Sequence, residues 1–231
     1  MSAGSIRARV RAEMTDEIKA TARRHLASDG ANLSLRAVAR DMGMVSSALY
    51  RYFASRDDLL TALIIDAYGG LGAAAEAADA AVADRADLRG RWLSICHAVR
   101  DWALANPAEY ALLFGSPVPG YAAPMDTVTA ASRTPATLVG VLVDGVRAGT
   151  LVEPDPADAL PEVVRDDLMA TMADFAPELS PTRIARAMLA WTSLFGVVSF
   201  ELFGQFNNVV HARREFFDHQ LRRLADQLGL P

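Results

Sequence analysis

Ser34-Leu35-Arg36-Ala37-Val38-Ala39-Arg40-Asp41-Met42-Gly43-Met44-Val45-Ser46-Ser47-Ala48-Leu49-Tyr50-Arg51-Tyr52-Phe53 is the stretch on which the reading of this chain turns. Leu35, Val38, Ala39 and Met42 recur at i, i+3, i+4 and i+7, the apolar stripe of a short helix. Ser34 stands one residue ahead of that stripe, where its hydroxyl can accept from an orphan amide. Gly43 follows the last apolar position and tolerates the positive φ that ends a helix. A second short helix is expected from Val45 or Ser46 to about Tyr52, with Leu49 and Phe53 as core. Two short helices about a glycine-centred turn make a helix-turn-helix, whose second helix fits a DNA major groove. Its outer face carries Ser46, Ser47, Tyr50, Arg51 and Tyr52, all of them hydrogen-bond donors.

Gly43 to Phe53, followed by Arg56 and Leu59-Leu60, resembles the N-terminal domain of TetR-family transcriptional regulators. The likeness spans roughly residues 10–65, and its most specific part is Leu49-Tyr50-x-Tyr52-Phe53 with its flanks. It implies DNA contact by Arg36 at the start of the first short helix, and phosphate or thymine-methyl contact by Tyr50 and Tyr52. The family usually has Ser or Thr where this chain has Val45, so the cap of the second helix is Ser46 or absent. Ala48 replaces a frequent Thr or Ser, which removes one expected hydroxyl contact. From the residues alone, Ser46, Ser47 and Arg51 are candidates for base edges, Arg51 as a guanine reader. Arg56 opens the next helix and can hold phosphate through its charge and nearby amides.

Charge is distributed to match. Residues 1–60 hold ten Arg and Lys against seven Asp and Glu; residues 61–231 hold thirteen against twenty-one. The head is therefore at +3 and the body at −8, for the net −5 of the whole chain. A basic head on an acidic body fits one domain touching phosphates. With 231 residues, 52% of them apolar, the chain can bury a full core. A single cysteine, Cys96, excludes an internal disulfide and fits a reducing compartment. No charged-then-apolar leader opens the chain. Its longest strongly apolar uncharged run, residues 187–200, is too short for a membrane span. A cytoplasmic protein with no membrane partner is expected.

The remaining pattern is helical throughout, with no alternating strand signal. Residues 1–9 read as a loose arm, in which Arg7 and Arg9 could touch DNA or merely fray. A first long helix is expected over 10–28, burying Ile18, Ala22 and Leu26 and ending at Asp29-Gly30. Ser55-Arg56-Asp57-Asp58 opens a fourth helix, interrupted by Gly69, Gly70 and Gly72, which suit close packing better than a hinge. Further helices are expected over 88–106, 107–114 and 125–148, the last open to a break at Pro135 and closed by Gly149. Pro154, Pro156 and Pro161 precede a helix holding Val163 to Phe175. Two closing helices are expected over about 182–203 and 209–228. In the last, Val210, Phe217, Leu221, Leu224 and Leu228 are spaced as an interhelical seam.

The division expected is a three-helix DNA-binding domain over 1–60 and a larger helical ligand-binding and dimerisation domain over 61–231. Trp92, Cys96, Trp102, Tyr110, Phe114, Tyr121, Met125, Met169, Met172, Phe175, Trp191 and Phe195 are candidate ligand-lining residues, each equally readable as core. Asn106 to Tyr110, Pro117 to Tyr121 and Trp191 to Gly196 resemble a TetR subgroup with a Trp-His-Gly C-terminal domain. Phe195 stands at its histidine position, which moves the implied ligand toward the apolar end.

Catalytic and metal readings are weaker. Cys96 and His97 are adjacent on a helix and diverge by roughly 100°. His211, Glu215 and His219 share a face at helical spacing, but the outer pair lies roughly 12 Å apart along the axis. No nucleophile-base set or glycine-rich phosphate loop emerges, so no cofactor is expected. The residues point to a homodimer formed through the last two helices, a ligand-responsive regulator and most simply a repressor on a palindromic operator. A helical enzyme that has lost DNA reading, and a constitutive DNA binder with a filled core, are the competing readings.

Overall fold

The computed structural model describes residues 3–29, 33–154, 159–172 and 175–231. Among them the chain forms helices only: α1 (Ala3–Asp29), α2 (Leu35–Asp41), α3 (Ser46–Leu49), α4 (Arg56–Ala81), α5 (Leu88–Ala105), α6 (Pro107–Phe114), α7 (Asp126–Ala131), α8 (Arg133–Ala148), α9 (Glu162–Met172), α10 (Pro181–Leu202) and α11 (Arg213–Leu228). Gly30 and Pro156, expected as punctuation, lie outside the described residues.

Two compact units emerge, and neither is continuous in sequence. The first comprises residues 1–69 with 106–130; the second comprises 70–105 with 131–231. The division expected at residue 60 therefore does not coincide with the packing units. The physical cause is α6, which returns to α1: Arg23 pairs with Glu109 at 2.8 Å and with Asp66 of α4 at 2.7 Å. Tyr110 of α6 is fully buried, and Val118 of the following loop joins the first unit's core.

In the first unit, Ile18, Ala22 and Leu26 of α1 pack with Leu35, Val38, Ala39, Leu49, Phe53, Leu59 and Leu60. Ser34 caps α2, accepting from the Ala37 amide at 3.4 Å. Gly43 makes the turn with φ +65°. Ser55 caps α4, accepting from the Asp58 amide at 3.0 Å. The expected loose arm is instead helical from residue 3, since α1 begins at Ala3. Arg9 and Glu13 form an exposed i, i+4 pair there at 3.5 Å.

The α4 helix runs unbroken through its glycines, from the first unit into the second. A Cβ at Gly70 would come within 3.1 Å of Trp102 Nε1, and one at Gly72 within 2.7 Å of Arg133 Cβ. Both glycines thus serve close packing, as their small size suggested. The expected break near Pro135 falls at Ser132, between α7 and α8. Pro135 sits in the first turn of α8, where the missing N–H costs nothing. Gly149 then closes α8 with φ +66°.

In the second unit, α10 falls within a residue of its expected bounds and α11 ends at Leu228 as expected, but α11 starts later, at Arg213. Ser180 caps α10, accepting from the Arg183 amide at 3.3 Å. Residues 203–212 form a turn with Gly204 at φ +80° and Asn208 at φ +62°, so Val209, Val210 and His211 precede α11. Phe217, Leu221 and Leu228 of the expected seam are buried within this chain. That seam is intrachain, and the apolar residues left exposed in this unit include several on or just past α10. Leu189, Phe200 and Phe203 are each about half exposed there. On length and composition, α4 and α10 could each cross a membrane. Both are partly buried helices of the units described above.

Candidate nucleic-acid interface and apolar cavity

The reading face of the helix-turn-helix forms because only one side of α3 is needed for the core. Leu49 is buried at 0% exposure, and Phe53 just beyond the helix closes the same core. Ser47, Tyr50 and Arg51 are consequently exposed, with Ser46 and Tyr52 half-buried. Tyr52 leans on the first unit's core, and the Arg11 guanidinium lies 5.1 Å from its ring centroid. Arg11 also donates to the Arg51 carbonyl at 3.1 Å, which ties α1 to the turn after α3. Val45 occupies the N-cap of α3 without a side-chain cap bond, so neither Ser46 nor Val45 caps the helix.

Arg36 projects from the first turn of α2 and is exposed. Arg56 is placed differently from the simple phosphate clamp: its Nε donates to the Leu33 carbonyl at 3.0 Å, bracing the segment before α2. Arg36, Ser46, Ser47, Tyr50 and Arg51 therefore form the open part of the face. Tyr52 and Arg56, both half-buried, border it and also make the packing and bracing contacts described above.

A cavity of about 250 Å³ lies in the second unit, among α5, α8, α9, α10 and α11. Trp92, Met172, Phe175 and Trp191 line it, four of the twelve residues expected to do so. The other walls come from Pro135, Leu138, Val139 and Leu142 of α8, from Ala176 and Leu179, from Ile184, Ala187 and Met188 of α10, and from Leu228. No charged, hydroxyl or amide side chain is among these lining residues. The Trp92 indole N–H donates to the Leu221 carbonyl at 3.2 Å and is spent on the fold.

The other eight candidates lie elsewhere. Tyr110, Phe114 and Tyr121 belong to the first unit, where Phe114 stacks on Tyr110 at 4.9 Å and edge-on to Tyr68 at 6.1 Å. The Tyr121 hydroxyl bonds Thr61 Oγ1 at 2.9 Å. Met125 and Met169 are exposed at 79% and 45%. Trp102 packs on Gly70, and Phe195 is buried 4.3 Å from the Trp191 ring without lining the cavity. Cys96 is fully buried, and burial pushes its thiol well above the ordinary range. Phe175, expected inside a helix, follows the end of α9 in a turn. Leu138 and Leu142, at i and i+4 on α8, are buried, a spacing that marks a core face but not a cavity wall.

The His211–Glu215–His219 reading fails on geometry, because His211 lies outside α11. His97 instead pairs with Asp218 at 3.1 Å, and the bonds from Arg222 and His97 hold that carboxylate below its ordinary range.

Comparison with known proteins agrees with this layout. Residues 18–63 match the family described as bacterial regulatory proteins, tetR family. Residues 92–224 match the family described as tetracyclin repressor-like, C-terminal domain. The chain is 38% identical over 227 residues to the HTH-type transcriptional regulator Rv1816 of Mycobacterium tuberculosis, covering 95% of this chain and 94% of that one. It is also 38% identical to SCO4313, described as a candidate regulatory protein, whose crystal structure it matches with TM-score 0.75, covering 94% of this chain and 98% of that one. PfmR of Thermus thermophilus, a TetR-family transcriptional regulator, shares the fold with TM-score 0.59 at 18% identity, covering 92% and 96% of the two chains. With an exposed helix-turn-helix face, an all-helical second unit and these relatives, the chain belongs to the TetR family of DNA-binding transcriptional regulators and is not an enzyme.

Proposed function

We propose that this regulator is a homodimeric repressor that reads a palindromic operator and is released by a small, mainly apolar effector. In that reading residues 1–60 bind double-stranded DNA, residues 61–231 bind effector and dimerise, and the protein works in the cytoplasm without a membrane partner. A single short recognition helix contacts few base pairs, so useful specificity needs two of them about one DNA turn apart. The exposed apolar residues Leu189 and Phe200 of α10, with Phe203 just past its end, support a partner copy packed on that helix. The α11 seam is already used inside the chain, so α11 would meet the partner through its polar side.

The cavity carries the proposal for the effector. At about 250 Å³ it lies just below the range of sites for drug-sized ligands, so the effector is compact. Its wall offers apolar contact and aromatic faces but no side chain to hold an ion. A ligand releases DNA only by binding more tightly to a dimer whose reading faces are wrongly spaced. The continuous α4 is a covalent route between the reading unit and the cavity unit.

A thermal-shift series with toluene, indole and octanol tests this reading. At one hundred times its Kd, a bound compound raises stability by about 2.7 kcal/mol. For a chain of this length that is roughly 5–10 °C in Tm. Ala187→Phe projects a ring into the cavity and is expected to abolish the shift while leaving the ligand-free Tm unchanged or higher. Shifts that persist in Ala187→Phe place the binding elsewhere. No shift with any apolar compound supports the filled-core, constitutive alternative.

A further inference from the structure

Val45 is a residue for which the fold itself has no evident use. It occupies the N-cap of α3 with φ −71° and ψ 140°, and its side chain makes no cap bond. Ser, Thr, Asp or Asn there would satisfy an orphan amide, which an isopropyl group cannot do. Nor does burial compensate, since Val45 is 70% exposed. Its neighbour Met44 packs on the first unit's core, and Gly43 supplies the turn. Val45 therefore forgoes a cap and stays mostly exposed, beside Ser46, Ser47 and Tyr50. Where a residue breaks a local preference without return inside the fold, function is the place to look. The first residues of a helix-turn-helix recognition helix are those that meet base edges. With only four residues, α3 brings little dipole to that meeting, so the side chain itself must be the recognition element. In the major groove the apolar feature of a base edge is the thymine C5-methyl, which cytosine and the purines lack.

We infer that Val45 packs on the C5-methyl of a thymine in each operator half-site, adding an apolar preference to the polar contacts of Ser47, Tyr50 and Arg51. The inference rests on the proposed reading of DNA by α3. Loss of one methyl contact weakens binding about fourfold per half-site, and by about the square of that when both half-sites lose it.

The experiment begins with selection of a binding site from a random duplex pool by the full-length protein. Each thymine of the enriched site is then replaced by deoxyuridine, symmetrically in both half-sites, and Kd is measured for the natural chain, Val45→Ser and Val45→Thr. One thymine position is expected at which uracil weakens the natural chain roughly fifteenfold and leaves Val45→Ser nearly unaffected. Val45→Thr, which keeps one methyl and restores a cap, should fall between. Thymine contacts made by Tyr50 or Tyr52 would keep their uracil penalty in Val45→Ser, so the coupling isolates Val45. Uracil tolerated at every position, a site without thymine, or an undiminished penalty in Val45→Ser overturns the inference while leaving specific binding intact. Failure to enrich any sequence overturns the DNA reading itself, and the contact with it.

Discussion

Glu201→Ala is expected to destabilise the second unit by about 3–5 kcal/mol, among the largest effects of any single substitution in this chain. Arg100 donates to both carboxylate oxygens of Glu201, at 2.6 and 2.8 Å, and the two residues are only 6% and 7% exposed. Removing the carboxylate leaves a guanidinium buried between α5 and α10 with its principal partner gone. Asp101, at 3.5 Å and itself half exposed, is a poor substitute. The Phe217 ring, 5.5 Å from the guanidinium carbon, offers only a weak cation–π contact. The cost is that of an orphaned charge rather than the net worth of the pair. Replacing both partners together, as Arg100→Met with Glu201→Leu, should therefore recover most of it. Urea denaturation of the natural chain and the two variants checks this. A single-variant loss below about 1 kcal/mol would show that water reaches the pair.

Leu49→Ala is the second. Leu49 is fully buried and is the α3 side chain that belongs to the first unit's core, which also holds Ile18, Val38, Phe53 and Leu59. Truncation leaves a cavity and is expected to cost about 2–5 kcal/mol of stability, with DNA binding lost as the α3 face loses its support. The next residue makes the contrast. Tyr50 is 45% exposed, so Tyr50→Phe should change stability by no more than about 0.5 kcal/mol. It should still weaken DNA binding if its hydroxyl meets phosphate. Melting curves and duplex titrations on the two variants separate support from contact. Equal stability of both would mean that α3 is held by something other than Leu49.

The contrast also shows which features are legible in sequence. The Ser34 cap, the Gly43 turn and the burial of Leu49 are local, each settled within a few residues, and all are read directly from spacing. The α1 start was not legible because residues 3–9 carry no apolar period to mark it. Spacing identified the Phe217–Leu221–Leu228 stripe but could not say which helix covers it. In the fold the answer is this chain's own core, leaving the α10 surface for another role. The cavity was the least legible part. Aromatic and thioether chemistry favoured Tyr110, Phe114 and Tyr121, which the return of α6 to α1 carries into the first unit. The plain aliphatic run Leu138, Val139 and Leu142 makes a wall because α8 faces α5 across the bundle, a tertiary fact with no local mark. Buried polar pairing was equally hidden. Asp79 of α4 meets Arg91 of α5 at 2.8 Å, and Arg91 in turn meets Asp144 of α8 at 2.8 Å. Burial pulls the Asp79 carboxyl upward, but the bonds from Arg91 and Arg85 outweigh it and hold the carboxyl below its ordinary range.

The central claim is that the open face around α3 reads DNA, and the most direct measurement is duplex binding against salt. The natural chain should bind a selected palindromic duplex more tightly than random duplex, with log K falling linearly as log salt rises. Arg36→Ala should weaken binding to selected and random sequence alike and make that slope shallower by about one per protomer. Binding to the selected duplex no tighter than to random DNA, or a slope that Arg36→Ala leaves unchanged, would contradict the account.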